Sequence, residues 1–288
     1  MFTTFTEWVR KKWASPAARK FRRNKLALVG FVIVSIIVFC AVFADFVAPY
    51  DPIEKVGPKL APPSRQFLLG TDVVGRDILS RIIYGTRMGL MIGLTVVGLW
   101  AVIGVPLGLI AGYYGGKIDY VVMRAADSFY AFPQLVFVLA ISGLFRPGLD
   151  TIVIALGIIG WPLYARVVRG KVLEVKAEEY VEAARAFGER DRNIIVRHVF
   201  PNCLAPIIVV LTLGLPTAIL VTSALSFLGF GVSPPTAEWG CDLSSARLYL
   251  ADQWWWATSV GLAIVITVLG FNFLGDGLRD ALDPRLRY

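Results

Sequence analysis

Runs of residues without a charged side chain constrain this 288-residue chain more than anything else in it. Leu26 to Ala44, Met88 to Gly116 and Ser128 to Phe145 contain no Asp, Glu, Lys or Arg. A helix needs about 20 largely apolar residues to cross the roughly 30 Å hydrocarbon core of a bilayer, and few other structures satisfy their backbone amides there without water. Leu204 to Phe227 and Gln253 to Gly275 also qualify, the former inside a longer apolar stretch punctuated by Pro201, Pro206 and Pro216. Thr151 to Ala165 is short at fifteen residues, but Arg166 and Arg169 behind it can snorkel to the interface and lengthen it. The expected fold is therefore all-α, with about six transmembrane helices. A composition of 56% hydrophobic and 17% charged residues, with mean hydropathy +0.65, fits a bilayer better than water as the solvent.

Charge placement predicts an orientation. With both termini on the cytoplasmic side, the segments assigned inside hold 21 Lys and Arg and those assigned outside hold 8, the asymmetry that sets membrane topology. Arg10, Lys11, Lys12, Arg19, Lys20, Arg22, Arg23 and Lys25 precede the first span like the basic region of a signal peptide. The nineteen-residue core that follows is long for a cleaved signal and has no A-x-A site after it, so a retained anchor is expected. The net charge of +8 does not point to nucleic acid, because the basic residues lie between apolar runs instead of on one face. Cys40, Cys203 and Cys241 are far apart and form neither a CxxC nor a zinc pattern.

Within the spans, Gly104, Gly108 and Gly112 recur at every fourth position, and Gly85, Gly89 and Gly93 form a similar ladder earlier in the same helix. Small residues at this period let two helices approach closely in lipid. The first reading is packing within this chain, and the second a dimer seam with another chain. Pro106, Pro133, Pro162 and Pro216 are expected to kink helices. No ionisable side chain lies near the middle of a span, which disfavours proton- or sodium-coupled carriers. The chain contains no G-x-x-x-x-G-K-[ST], so any ATP must be hydrolysed elsewhere. No nucleophile, base or metal cluster suggests an enzyme, and the lone His198 is read as packing or capping. Trp254, Trp255 and Trp256 are read as an aromatic anchor at the outer end of the last span.

Two segments between spans are large. Asp45 to Arg87, expected outside, is rich in proline, and its Asp72, Arg76, Asp77 and Arg81 are expected to form a solvated network or to meet an incoming molecule. Arg166 to Arg197, expected inside, contains EEYVEAARAFGERDRNIIVRHVFPN at residues 178 to 202. Glu179 to Phe187 reads as a short amphipathic helix with Tyr180, Ala183, Ala184 and Phe187 on its apolar face. Gly188 is placed to end it, and a second helix is expected from about Asp191, broken by Pro201. A short helix exposed in this way can wedge into a cleft on another protein.

That stretch resembles the EAA loop of importer-type ABC permeases, whose pattern is EAA, three residues, Gly, nine residues and I-x-L-P. Glu182, Ala183, Ala184, Gly188 and Pro201 match, while His198 and Phe200 stand where the pattern has Ile and Leu. LLGTDVVGRDILSRIIYGTRMGL (68 to 90), LSFLGFGVSPPTAEWG (225 to 240) and FNFLGDGLRDALDPRLR (271 to 287) are similar to segments of the C-type permeases of dipeptide, oligopeptide and nickel importers. Asp276, Arg279, Asp280 and Asp283 in the last of these are expected to cap and pair at a helix end.

The resemblance implies a type I ABC importer permease in a prokaryotic inner membrane, dividing into 1–85 (basic tail, first anchor and external segment), 86–278 (permease core, with the coupling loop at 170–200) and 279–288 (tail). It implies a homologous second permease, two ATPase subunits and an extracytoplasmic solute-binding protein as partners. No cofactor is expected on this chain, with ATP and Mg held by the ATPases. Tyr180, Glu182, Ala183, Ala184, Arg185, Phe187 and Gly188 become the expected ATPase-coupling surface. Di- or oligopeptides are the first-choice solute, with nickel, glutathione or short sugars as alternatives. A stand-alone secondary transporter is the rival reading.

Overall fold

The structure, a computed structural model, describes residues 16–145 and 148–282. Arg10, Lys11, Lys12 and Asp283 therefore lie outside the described residues. A short basic helix, α1 (Pro16–Arg23), meets α2 (Lys25–Val42) at Asn24, whose carboxamide oxygen caps α2 by accepting from the Ala27 amide at 3.2 Å. One turn, α3 (Ala44–Val47), leads into an irregular segment that ends at Asp77. Asp77 caps α4 (Ile78–Tyr114) through its carboxylate, which accepts from both the amide (2.8 Å) and the hydroxyl (2.7 Å) of Ser80. This cap starts the helix ten residues before the expected span at Met88 and runs it through the expected 85/86 boundary.

The third expected span is not one helix. α5 (Gly116–Tyr130) and α6 (Gln134–Leu144) meet at an 81° bend over Ala131, Phe132 and Pro133. Proline has no amide to donate and drives the preceding residue out of helical geometry. At eleven residues, α6 reaches only about 16 Å, too short to cross alone. Pro106, Pro162, Pro206 and Pro216, by contrast, all lie inside continuous helices. Among the described residues, five helices are long and apolar enough to cross a bilayer, or six if the bent pair counts as one span.

The weakest expected span proves long. α7 (Leu149–Lys176) continues past Arg166 and Arg169, which do more than snorkel: Arg166 pairs with Asp127 at 2.6 Å, and Arg169 forms an ion pair with Asp119, both on α5. α8 (Glu179–Ala186) and α9 (Asp191–Ile194) follow, and a π-helical turn (Ile195–Val199) joins α9 to α10 (Phe200–Phe227). The helix is thus widened before Pro201 and not broken at it. α11 (Trp239–Ala246) and α12 (Trp254–Leu282) complete the order.

The glycine ladder packs inside the chain. A Cβ at Gly104, Gly108 or Gly112 would sit 2.5 Å from the Trp161 carbonyl, 2.5 Å from the Ala165 carbonyl or 2.8 Å from the Val172 side chain, all on α7. The α4–α7 approach is therefore closed to any side chain larger than hydrogen. Gly85, earlier on α4, receives the Trp239 indole, whose Nε1 donates to the Ile82 carbonyl at 3.1 Å. The main core lies among α4, α6, α7, α10 and α12, with Val96, Val138, Leu156, Ile219 and Val260 fully or nearly fully enclosed. Of the three adjacent tryptophans, Trp254 is outward, whereas Trp256 is buried in this core.

Candidate functional site

Residues 176 to 202 build an exposed corner between two membrane-length helices. α8 ends as the sequence suggests. Gly188 has φ +80°, its amide donates to the Arg185 carbonyl at 3.0 Å, and the Glu189 amide donates to that of Ala184 at 3.1 Å. Those two bonds form a Schellman cap, which needs a left-handed residue at the glycine position. Nothing lies within 4 Å of a Cβ built there, so backbone conformation alone demands glycine.

The face of α8 that meets the body differs from the expected one. Val181 is fully buried, and with the half-buried Ala184 it joins Val172, Val175, Ile194, Val199 and Cys203 in a second cluster. Tyr180, Glu182, Ala183 and Arg185 are exposed, and Phe187 is 91% exposed. The apolar residues therefore form two stripes. One anchors the helix, and the other, carrying Ala183 and Phe187, is left open. Val181 sits among charged neighbours, which hid it from the sequence reading. Its i, i+3 spacing to Ala184 was the available signal.

The corner is tied to α4. The Tyr113 hydroxyl donates to Asp191 at 2.6 Å, Lys176 donates to the Tyr113 carbonyl at 2.5 Å, and Arg185 lies over the Tyr113 ring at 5.7 Å. His198 contacts Glu189 at 3.0 Å across the Gly188 turn, a partner its sequence neighbours did not suggest. Asn202 donates to the Tyr180 hydroxyl at 3.1 Å. At the chain ends, Asn24 on the α1–α2 corner donates to Asp280 on α12 at 3.2 Å.

The quartet in the external segment corrects the expected solvated network: Asp72, Arg76, Asp77 and Arg81 are at most 6% exposed. They split into separate units. Asp72 accepts the amides of Val74, Gly75 and Arg76 through one oxygen and the Arg76 guanidinium (2.6 Å) through the other. Asp77 caps α4. Arg81 turns to a residue the sequence reading missed, donating through Nε (2.8 Å) and Nη2 (2.6 Å) to Asp242 on α11. Its remaining donors meet the carbonyls of Pro52, Pro235 and Thr236, so all five guanidinium N–H groups are used. Asp242 lies one helical turn after Glu238, whose carboxylate caps α11 by accepting the Gly240 and Cys241 amides. Burial pushes the Asp242 carboxyl up to about 6 despite Arg81, and burial also raises Glu238. Both Arg81 bonds land on one Asp242 oxygen, and the other has no partner among the described residues.

A bundle of membrane-length helices, with an ion-paired cap near one end of α4 and a short glycine-capped helix near the other, defines a polytopic helical membrane protein. Residues 104–288 match the model of the "Binding-protein-dependent transport system inner membrane component" family, and residues 13–63 match the N-terminal TM domain of oligopeptide transport permease C. The chain is 47% identical to the dipeptide transport system permease protein DppC of Escherichia coli K12 and 45% identical to the di/tripeptide transport system permease protein DppC of Pseudomonas aeruginosa, in each case over 93% of this chain and 91% of the relative. A chain from inward-facing MetNI methionine ABC transporter crystals shares the fold with TM-score 0.58 at 20% identity, covering 72% of this chain and 98% of that one. The chain belongs to the binding-protein-dependent inner-membrane transport components and is a multi-pass inner-membrane permease.

Proposed function

We propose that this chain is one of two permeases in an ATP-driven importer of di- or short oligopeptides, and that 178–188 is the surface gripped by its ATPase. The observation that carries the coupling assignment is Phe187, an aromatic side chain 91% exposed on a rigidly capped helix. A buried anchor at Val181 with an apolar side chain held in the open suits a helix that docks on a second protein. The peptide assignment rests on relatives whose names specify dipeptide and di/tripeptide transport. In this reading both termini and the corner are cytoplasmic, and a homologous permease completes the pathway. Two ATPase subunits hold ATP and Mg, and a solute-binding protein delivers substrate at the opposite face.

α4 supplies a mechanical link. It carries Tyr113, bonded into the coupling corner, and Arg81, locked into the external cap, on one helix of 37 residues, or about 55 Å. Movement imposed at Asp191 by a closing ATPase pair reaches the external cap through this rod, a rigid-body mode of switching.

Phe187→Ala and Ala183→Arg in the reconstituted complex test the coupling surface. Binding-protein-stimulated ATPase and peptide uptake should fall at least tenfold, with the amount of chain in the membrane and its thermal midpoint unchanged. Wild-type uptake and stimulation in both variants would show that the corner is not the coupling surface. Uptake of labelled dipeptide into vesicles, competed in turn by nickel, glutathione and short sugars, tests the solute.

A further inference from the structure

We propose that the corner between α1 and α2 is a binding site for anionic phospholipid, with the headgroup phosphate on its cations and the acyl chains on α2. Arg19, Lys20, Arg22, Arg23 and Lys25 fall within seven residues. None of them makes an ion pair among the described residues. All but Lys20 are exposed, and Lys20 is half-exposed.

The corner is held in place. Phe21 packs edge-on against Phe31 with centroids 6.5 Å apart and lies over Gly277 of α12, while Asn24 caps α2 and donates to Asp280. Asp280 is thereby engaged, and the first turn of α2 contains no acidic residue. Lys25 opens that helix at its positive dipole end, where a cation does not help the helix itself and an anion would.

The second half of the match is apolar. Leu26, Val29, Val32 and Ile36 form an exposed stripe on α2 that begins one residue after the last of these cations. A soluble phosphate would use the cations alone, whereas a phospholipid uses the cations and the stripe together. Juxtamembrane clusters of this kind gain about a fivefold preference for an anionic surface per Lys or Arg.

The test is native mass spectrometry of the purified full-length chain titrated with phosphatidylglycerol or with phosphatidylcholine of the same acyl chains. Phosphatidylglycerol should bind at least tenfold more tightly. Arg22→Gln/Arg23→Gln and Arg19→Gln/Lys20→Gln should each lower its affinity by roughly fivefold per cation removed. Arg22→Lys/Arg23→Lys should stay within about twofold of wild type, because charge near the surface sets the attraction. A control at exposed cations of the external segment, Lys55→Gln/Lys59→Gln/Arg65→Gln, should leave the preference intact. Equal binding of the two lipids, an undiminished preference in both glutamine pairs, an equal loss in the control, or complete displacement of the lipid by millimolar inorganic phosphate would each overturn the proposal.

Discussion

The corner at 176–202, which we propose couples to the ATPase, and the Arg81–Asp242 cap, which that reading places outside, lie near opposite ends of α4 and handle polar groups in opposite ways. In the cap, Arg81 spends all five donors inside the chain and is 1% exposed. At the corner, Glu182 and Arg185 remain exposed and Phe187 stands almost wholly in the open. One region is finished by its own chain, and the other leaves Ala183 and Phe187 open, the face we propose as the ATPase contact. Substitutions in the cap should therefore act through stability, and those at the corner through coupling.

The strongest way to break this contrast is Arg81→Ala, which leaves the Asp242 carboxylate buried without its cation. Loss of one member of a buried pair costs about 3–5 kcal/mol. Thermal unfolding in detergent should report it as a large drop in midpoint. A drop no larger than that of an exposed control such as Arg65→Ala would mean the cap is not the closed unit described. Next in size is pH. Asp242 is raised from the usual carboxylate value of 3.8 to about 6, so between those values the folded chain holds a proton that the unfolded chain has released. Stability is thus fully present below about pH 4 and is lost as pH rises through 6, with Glu238 acting in the same direction. The unfolding midpoint should rise from pH 7.5 to pH 4, reflecting a gain on the order of 2–3 kcal/mol from Asp242. Asp242→Asn should flatten that dependence. Coupling-corner variants such as Phe187→Ala should leave it untouched.

Between the two ends, Gly108→Leu would drive a side chain into the α4–α7 contact, where the Ala165 carbonyl lies 2.5 Å from the Cβ position. Overpacking of this kind costs about 1–3 kcal/mol. If the variant instead unfolds like wild type but loses its partner permease on size-exclusion chromatography, the ladder is a seam between chains and the assignment to internal packing fails.

What could be read from sequence follows from how local the determining interactions are. Charge-free runs located the long helices, and Gly188 and the glycine ladder were legible because a cap and an i, i+4 face are short-range patterns. Asp242 was not legible as a partner of Arg81, because 161 residues separate them and their pairing depends on how α10 returns the chain to α4. Arg76 and Arg81 looked solvent-facing for the same reason: the chain that buries them at Pro235 and Thr236 is distant in sequence. In the sequence Pro133 reads as one kink among several. Proline alone does not distinguish a bend absorbed within a helix, as at Pro106, from an 81° turn.

The smallest effect gives the sharpest comparison, because the two regions contain glycines of matched φ. Gly188 has φ +80° and Gly70 has φ +79°, so an L-residue is strained at both; at the left-handed Gly188 the penalty is about 1–2 kcal/mol, with Asn tolerating that region better than Ala. Their surroundings differ. Nothing lies within 4 Å of a Cβ at Gly188, whereas at Gly70 the Ala61 carbonyl would be 2.4 Å away and the Trp255 indole nitrogen 2.9 Å away. Gly188→Ala should therefore cost about 1 kcal/mol, with Gly188→Asn recovering most of it. At Gly70, Ala and Asn should both cost more, and Asn should recover nothing, because the obstacle there is backbone and not φ. Urea unfolding of the four variants decides the matter. Asn rescue at both glycines would mean that the external segment yields as readily as the corner, and the division of labour along α4 would fail with it.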